Sequence, residues 1–263
     1  MADVSAPDPQ FFPGKDGAQL AYREIGAGRP VVLIHGLFSN ARTNWLKYGH
    51  AQTVAAQGFR VIMPDLRGHG DSAAPHDPAA YPPDVLADDG EALVAHLGLA
   101  DYDLGGYSLG GRTTVRMLVR GARPGRAILS GMGLEGILDT GARGDFFRRV
   151  LNGAGSHAKF SNEWFAEAFL RANGGDPRAL INIMNTFVDT SEAELRAITV
   201  DTLVLTGADD QDNGSAAALA AVLPRARYAE IPGNHMSAVA RPEMGREIAA
   251  FLANGRPAST GGA

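Results

Sequence analysis

A chain of 263 residues, 45% hydrophobic and 20% charged, is long enough to bury a substantial core and too apolar to stay disordered. A formal net charge of -5 without a long basic run argues against nucleic acid as a partner, and the lack of cysteine removes disulfides, thiolate metal sites and cysteine nucleophiles. No apolar run approaches the roughly 20 residues that span a bilayer, and Met1 to Pro13 lacks the basic-then-apolar pattern of a signal peptide, so a soluble, cytoplasmic chain is expected.

Gln19 to Ile25 alternates loosely and reads as an antiparallel edge strand. Val31 to Ile34 and Phe59 to Met63 are short runs rich in Val and Ile that read as buried strands, with Trp45 to Ala56 at helical spacing between them. Val85 to Leu97 sets Leu86, Leu93 and Leu97 on one side of a helix. Tyr102 to Gly106 reads as a strand, a helix follows from Leu109 through Thr113 to Arg120, and Ala127 to Leu129 reads as the next strand. Strands alternating with helices imply an α/β fold, a mostly parallel sheet covered on both faces.

The alternation stops after Gly131. Residues 132–199 carry only helix signals: Arg143 to Leu151, Asn162 to Ala172, Asp176 before Pro177 as a cap, and Ser191 with Glu194 at capping-box spacing. Such a stretch cannot belong to the sheet and is expected to form a helical cap insertion over its C-terminal edge. It carries Phe146, Phe147, Trp164, Phe165, Phe169, Met184 and Phe187, whose favoured role is packing the cap onto the body, with lining of an apolar pocket as the other. Strands resume at Asp201 to Leu205 and Arg227 to Ile231, before a last helix at Pro242 to Leu252. Residues 1–131 and 200–253 are therefore expected to form the core, and 254–263, rich in Gly, Pro and Ser, a disordered tail.

Gly106-Tyr107-Ser108-Leu109-Gly110 matches G-x-S-x-G between a strand and a helix, the setting in which a serine sits on a sharp turn, a nucleophile elbow, with glycines allowing close backbone approach. A hydroxyl is a poor nucleophile until a base takes its proton. Of the seven histidines, His235 is best placed, in Pro232-Gly233-Asn234-His235 just past the last strand; His50, His76, His96 and His157 follow no strand end. An acid must orient that imidazole, and the loop after Leu205 offers carboxylates, Asp209 and Asp210 first. Serine, acid and histidine then occur in the chain order this elbow requires. The backbone N–H of Leu109, next after the serine, is one expected donor to an oxyanion.

Together with the serine turn, the segments His35-Gly36-Leu37-Phe38, Asp65-Leu66-Arg67-Gly68-His69-Gly70-Asp71-Ser72, Gly207 to Asp210 and Gly233-Asn234-His235 resemble the α/β-hydrolase superfamily from Gln19 to Ala253. The resemblance implies an eight-stranded, mostly parallel sheet. It selects Asp210, three residues after Gly207, as the acid, with Asp209 and Asp212 left open by the loop's register, and it places the second oxyanion donor at the Leu37 N–H. It gives His35 and the Asp65 to Ser72 turn supporting roles.

The expected activity is hydrolysis of a carboxylic ester or related acyl bond in a small, apolar substrate, through Ser108, Asp210 and His235 and an acyl-enzyme, with no metal or organic cofactor. Lactonase, thioesterase, carbon-carbon bond hydrolase, perhydrolase and acyltransferase chemistry are compatible with the same triad, and a non-catalytic small-ligand receptor is the alternative of another class. Serine at the elbow argues against dehalogenase or epoxide hydrolase chemistry, which in relatives uses a carboxylate there. Gly68 to Ala73 also fits a dinucleotide pattern, but Pro75, Pro78, Pro82 and Pro83 block the helix that pattern needs. Ser156 to Lys159 fits S-x-x-K without the motifs that accompany it. Neither a P-loop nor H-E-x-x-H occurs, and the sequence leaves the oligomeric state open.

Overall fold

Val31 to Ile34 are four consecutive residues with no exposed surface, as a strand covered on both faces demands. In the computed structural model, which describes residues 6–254, they end the third of eight strands: β1 (Gln10–Pro13), β2 (Gln19–Gly26), β3 (Arg29–Ile34), β4 (Phe59–Pro64), β5 (Asp103–Tyr107), β6 (Arg126–Ser130), β7 (Asp201–Gly207) and β8 (Ala226–Ile231). They form one sheet ordered β1-β2-β4-β3-β5-β6-β7-β8, parallel from β4 to β8 and antiparallel at β1 and β2. The expectations for residues 1–5 and for the tail beyond Asn254 fall outside the described residues.

The helices are α1 (His50–Ala55), α2 (Val85–His96), α3 (Leu109–Val119), α4 (Leu134–Leu138), α5 (Gly141–Asn152), α6 (Asn162–Ala172), α7 (Pro177–Ile183), α8 (Glu192–Arg196), α9 (Ala216–Val222), α10 (His235–Ala238) and α11 (Pro242–Ala253). The period-two alternation of strand side chains divides the core. Val31, Leu33, Val61, Met63, Leu203 and Leu205 face the side covered by α1 and α11, where they meet Val54, Met244 and Ile248. Val32, Ile34, Ile62 and Leu104 face the other side, with Leu93 of α2 and Met117 of α3.

Two expectations are corrected. Trp45 to Ala56 is not one helix: a π-helical turn over Arg42–Leu46 is separated from α1 by Gly49, whose φ of 79° a right-handed helix cannot include. Gln19 to Ile25 is antiparallel but not the edge, because β1 pairs outside it and buries Phe12 against Tyr22. A four-residue strand ending at Pro13 gives little periodicity to read, and a proline, which lacks a donor, suits an outermost strand.

Between β6 and β7 the chain forms α4 to α8. Asp176 caps α7, accepting from the Arg178 N–H at 2.9 Å with Pro177 at the first position, and Ser191 and Glu194 cap α8 reciprocally. Both ends of this segment are tied to α3 by a buried arginine: Arg112 donates to the carbonyls of Gly136 at 2.6 Å and Ile137 at 3.2 Å at one end, and of Val188 at 2.7 Å at the other. Val150, Leu170, Leu180 and Ile183 belong to the same buried cluster as Val32 and Ile34. Met184 is buried, and Phe146, Phe147, Phe169 and Phe187 are partly buried against that cluster, whereas Phe165 is 55% exposed.

Candidate active site

At the end of β5 the backbone has no room for side chains. Register sets Gly106 beside Ile34, and a Cβ on Gly110 would lie 2.1 Å from the Ile34 carbonyl oxygen, while one on Gly106 would lie 2.3 Å from the Gly110 carbonyl carbon. Between these glycines Ser108 adopts φ 53°, ψ -114°, a conformation L-residues rarely hold. Its N–H donates to the Ser130 carbonyl at 2.8 Å, and its side chain stays partly exposed at the head of α3.

His235 opens α10, a single turn capped by Asn234, whose side chain accepts from the N–H groups of Met236 and Ser237. The Tyr107 hydroxyl, on the residue before the serine, donates to the His235 carbonyl. Burial pushes that hydroxyl well above the usual phenol range, with Asp210 and Asp212 adding to the effect, so it stays protonated and donating. His235 Nε2 lies 3.0 Å from Ser108 Oγ, and His235 Nδ1 lies 2.8 Å from Asp210 Oδ2. A carboxylate on Nδ1 fixes the proton there and leaves the Nε2 lone pair facing the serine hydroxyl.

Of the three loop carboxylates only Asp210 is buried and reaches the imidazole. Asp209 is exposed, and Asp212 is turned to Arg143 of α5, whose guanidinium lies 2.6 Å away. The Asp212 N–H donates to Asp210 Oδ1 at 3.1 Å. Asp210, Asp212 and His235 each bring a donor atom within 4.8 Å of the others, but His235 takes up Asp210 and Arg143 takes up Asp212, so the cluster is satisfied from within rather than open to a cation.

The loop after β3 lies against the serine: a Cβ on Gly36 would sit 3.4 Å from that of Ser108. Its N–H groups are used in turn, Gly36 donating to Asn44 Oδ1 at 3.1 Å, Phe38 to His69 Nε2 at 3.3 Å and Ser39 to the Gly36 carbonyl at 3.2 Å. The Leu37 N–H between them, and the Leu109 N–H at the start of α3, have no acceptor among the described residues. His35 donates through Nδ1 to the Gly36 carbonyl at 2.8 Å and accepts the Leu66 N–H on Nε2 at 2.9 Å, and His69 donates through Nδ1 to the Arg67 carbonyl at 3.0 Å. Both histidines hold backbone. Asp65 likewise accepts from the N–H groups of Ala41 and Asp71.

Burial holds His35 neutral down to about 4, and burial together with the adjacent His35 holds His69 neutral down to about 3. Below the ordinary imidazole range near 6.5 the unfolded chain therefore binds protons that the folded chain refuses. The stability this contributes is complete above about pH 6.5 and is lost as pH falls towards 4 for His35 and 3 for His69. Denaturant unfolding should show a free energy falling by roughly 1.4 kcal/mol per pH unit per histidine through that window; a value flat from pH 7 to pH 4 would contradict it.

Tyr107, Asn44 and Arg143 were not legible as site residues. Tyr107 occupies the free position of the motif, Asn44 reaches Gly36 only through the π-helical turn that follows the loop, and the reach of Arg143 depends on α5 meeting the loop after β7. His69 reads as part of a structural turn, which it is, yet its ring also accepts the Phe38 N–H in the loop after β3.

A model of the alpha/beta hydrolase fold matches residues 29–131. A non-heme haloperoxidase of Rhodococcus erythropolis is 30% identical over 239 residues, covering 76% of this chain and 82% of that protein. A non-heme chloroperoxidase of Kitasatospora aureofaciens is 39% identical over 108 residues, 40% of this chain and 37% of its own length. Among solved structures, an esterase from Exiguobacterium antarcticum superposes with a TM-score of 0.77 at 22% identity, over 93% of this chain and 99% of that one, a likeness of fold. No helix among the described residues is long and apolar enough to cross a membrane.

Proposed function

This chain belongs to the alpha/beta hydrolase family of enzymes, and on that premise we propose that it cleaves a carboxylic ester or related acyl bond with Ser108 as nucleophile, His235 as base and Asp210 as orienting acid. The observation that carries the reading is the unbroken chain from Asp210 Oδ2 through the imidazole to Ser108 Oγ, at 2.8 and 3.0 Å. As Ser108 Oγ bonds to the acyl carbon, its proton passes to His235 Nε2, and Asp210 stabilises the imidazolium that forms. The same proton then goes to the departing alkoxide. Water, deprotonated by His235, attacks the acyl-enzyme, and the carboxylic acid leaves with Ser108 restored.

Each tetrahedral intermediate carries an oxyanion. The free N–H groups of Leu37 and Leu109 are its donors in this reading, supported by their lack of any other acceptor, with the N–H groups of Gly36, Phe38 and Ser39 around Leu37 all engaged. We assign residues 132–199 as a cap on a core of residues 1–131 and 200–253. Phe147 of α5 packs edge-on against Phe38 with ring centroids 5.3 Å apart, which supports an apolar surround for the substrate. The similarity to haloperoxidases favours a second reading of the last step, in which hydrogen peroxide replaces water and a peroxy acid is released.

The test is a panel of p-nitrophenyl esters, lactones and thioesters, with and without hydrogen peroxide, alongside labelling by a fluorophosphonate. Stoichiometric labelling at Ser108 with multiple turnovers is expected; labelling without turnover would favour a binding protein. Asp210→Asn should lower kcat by about 10³- to 10⁴-fold, because an amide cannot hold the productive tautomer. Asp209→Asn should change it by no more than about threefold, its side chain being exposed. Equal losses in the two variants would reject the assignment of the acid.

A further inference from the structure

Helix α5 reaches both loops that flank Ser108. At one point Phe147 meets Phe38 in the loop after β3, and one turn earlier Arg143 meets Asp212 in the loop after β7. The guanidinium rests on the rings of Phe147 and Phe146, 4.7 and 5.3 Å from their centroids, and its Nε is buried without a hydrogen-bond partner. Ring faces attract a cation but accept few hydrogen bonds. The side chain is thus fixed for its charge on Asp212 more than for a full set of hydrogen bonds.

Asp212 matters because its carboxylate lies within 4.8 Å of the imidazole as well as of Asp210. Two carboxylates beside one histidine favour its protonated form, and a protonated histidine cannot act as base. We propose that Arg143 is a positioning residue whose positive charge offsets Asp212 and keeps His235 neutral, and able to take the proton of Ser108, near neutral pH. The proposal rests on the serine-hydrolase reading above. It also links cap to chemistry: only while α5 is seated does the site carry one net negative charge instead of two.

The other groups around His235 do not supply this balance. Asp210 engages Nδ1, Ser108 faces Nε2, and Tyr107 of β5 donates to the His235 carbonyl. His50 of α1, kept neutral by burial, donates to the Val239 carbonyl beyond α10. Asp209, Glu230 and Arg241 line a groove behind Gly233 and Asn234.

The experiment is the pH profile of kcat/KM for p-nitrophenyl acetate in the wild type, Arg143→Met, Arg143→Lys, Asp212→Asn and the Arg143→Met/Asp212→Asn double variant. Two unit charges within 4.8 Å shift a proton equilibrium by at least about 0.6 pH unit even in water-like surroundings. Arg143→Met, whose lost charge sits 2.6 Å from the Asp212 carboxylate rather than on the imidazole itself, should move the acid limb up by about 0.3 pH unit or more, with the high-pH plateau within about threefold of wild type. Arg143→Lys should restore the limb, Asp212→Asn should move it down, and the double variant should return it towards wild type. Where turnover is slow, fluorophosphonate labelling rate against pH reads the same limb. A lowered plateau with an unmoved limb in Arg143→Met, or a double variant identical to Arg143→Met, overturns the proposal. Wild-type turnover that survives Ser108→Ala overturns instead the reading beneath it.

Discussion

Replacing Ser108 with alanine is expected to reduce kcat/KM for p-nitrophenyl esters by about 10⁴- to 10⁶-fold and to abolish fluorophosphonate labelling. The loss is chemical. Alanine keeps the Cβ, so the turn at φ 53° remains equally strained and the N–H to Ser130 bond remains in place. The melting temperature should therefore stay within about 2 °C of wild type. Ser108→Gly separates strain from chemistry: glycine removes the steric conflict, so that variant should be as inactive but more stable by about 1 kcal/mol. An alanine variant retaining a tenth of wild-type turnover, after exclusion of contaminating wild type, would remove Ser108 from the reaction.

Arg67→Met is expected to produce the largest loss of stability with little loss of chemistry. The Arg67 side chain is 1% exposed, and its guanidinium makes two bonds to buried Asp89 at 2.8 and 2.9 Å, two to Asp16 at 2.5 and 2.8 Å, and one to the Ala80 carbonyl at 2.8 Å. Burial pushes the Asp89 carboxyl up, and Arg67 pulls it back. Methionine fills the volume but leaves Asp89 without its counter-ion in an apolar surround. Breaking such a pair costs about 3–5 kcal/mol, which for a chain of this size lowers the melting temperature by about 10 °C. Asp16, nearly half exposed, can return to water and adds little. Ester turnover at 20 °C should stay within about fivefold of wild type, since the guanidinium touches neither Ser108 nor its partners. A melting temperature unchanged within 2 °C would show that the buried pair carries no stability, and a 100-fold loss of turnover would make Arg67 part of the chemistry.

Arg67 also shows where sequence reading works and where it stops. In Asp65 to Ser72 a charged residue, a histidine and another acid stand close together, and composition cannot distinguish a catalytic cluster from a turn. The structure decides for the turn: Arg67 is consumed by two carboxylates, His69 by two backbone groups and Asp65 by two N–H donors. The failed helix at Trp45 to Ala56 has a similar origin. Gly49 can enter a helix at modest cost, and only the burial of Trp45 on one side of it and the seating of α1 against α11 on the other make the break the better solution.

What the sequence determined by itself was whatever depends on neighbours along the chain. Runs such as Val31 to Ile34 can be buried on both faces only as central strands, and a serine between glycines at a strand-to-helix junction has few other conformations open to it. The order of Ser108, Asp210 and His235 follows from which strand each residue leaves. Tertiary structure alone decided which loop carboxylate meets the imidazole, because the register of Asp209 and Asp210 is set by bonds across to β8 and back: Ala208 N–H to Ile231, Asp209 N–H to Gly233 and Asp210 N–H to Gly207. It alone brought Arg143 to Asp212 and Tyr107 to His235, across 69 and 128 positions. Local propensity reaches a few residues along the chain, whereas contacts closed over such separations are set by how strands and helices meet in space, at an entropic cost that no local pattern records.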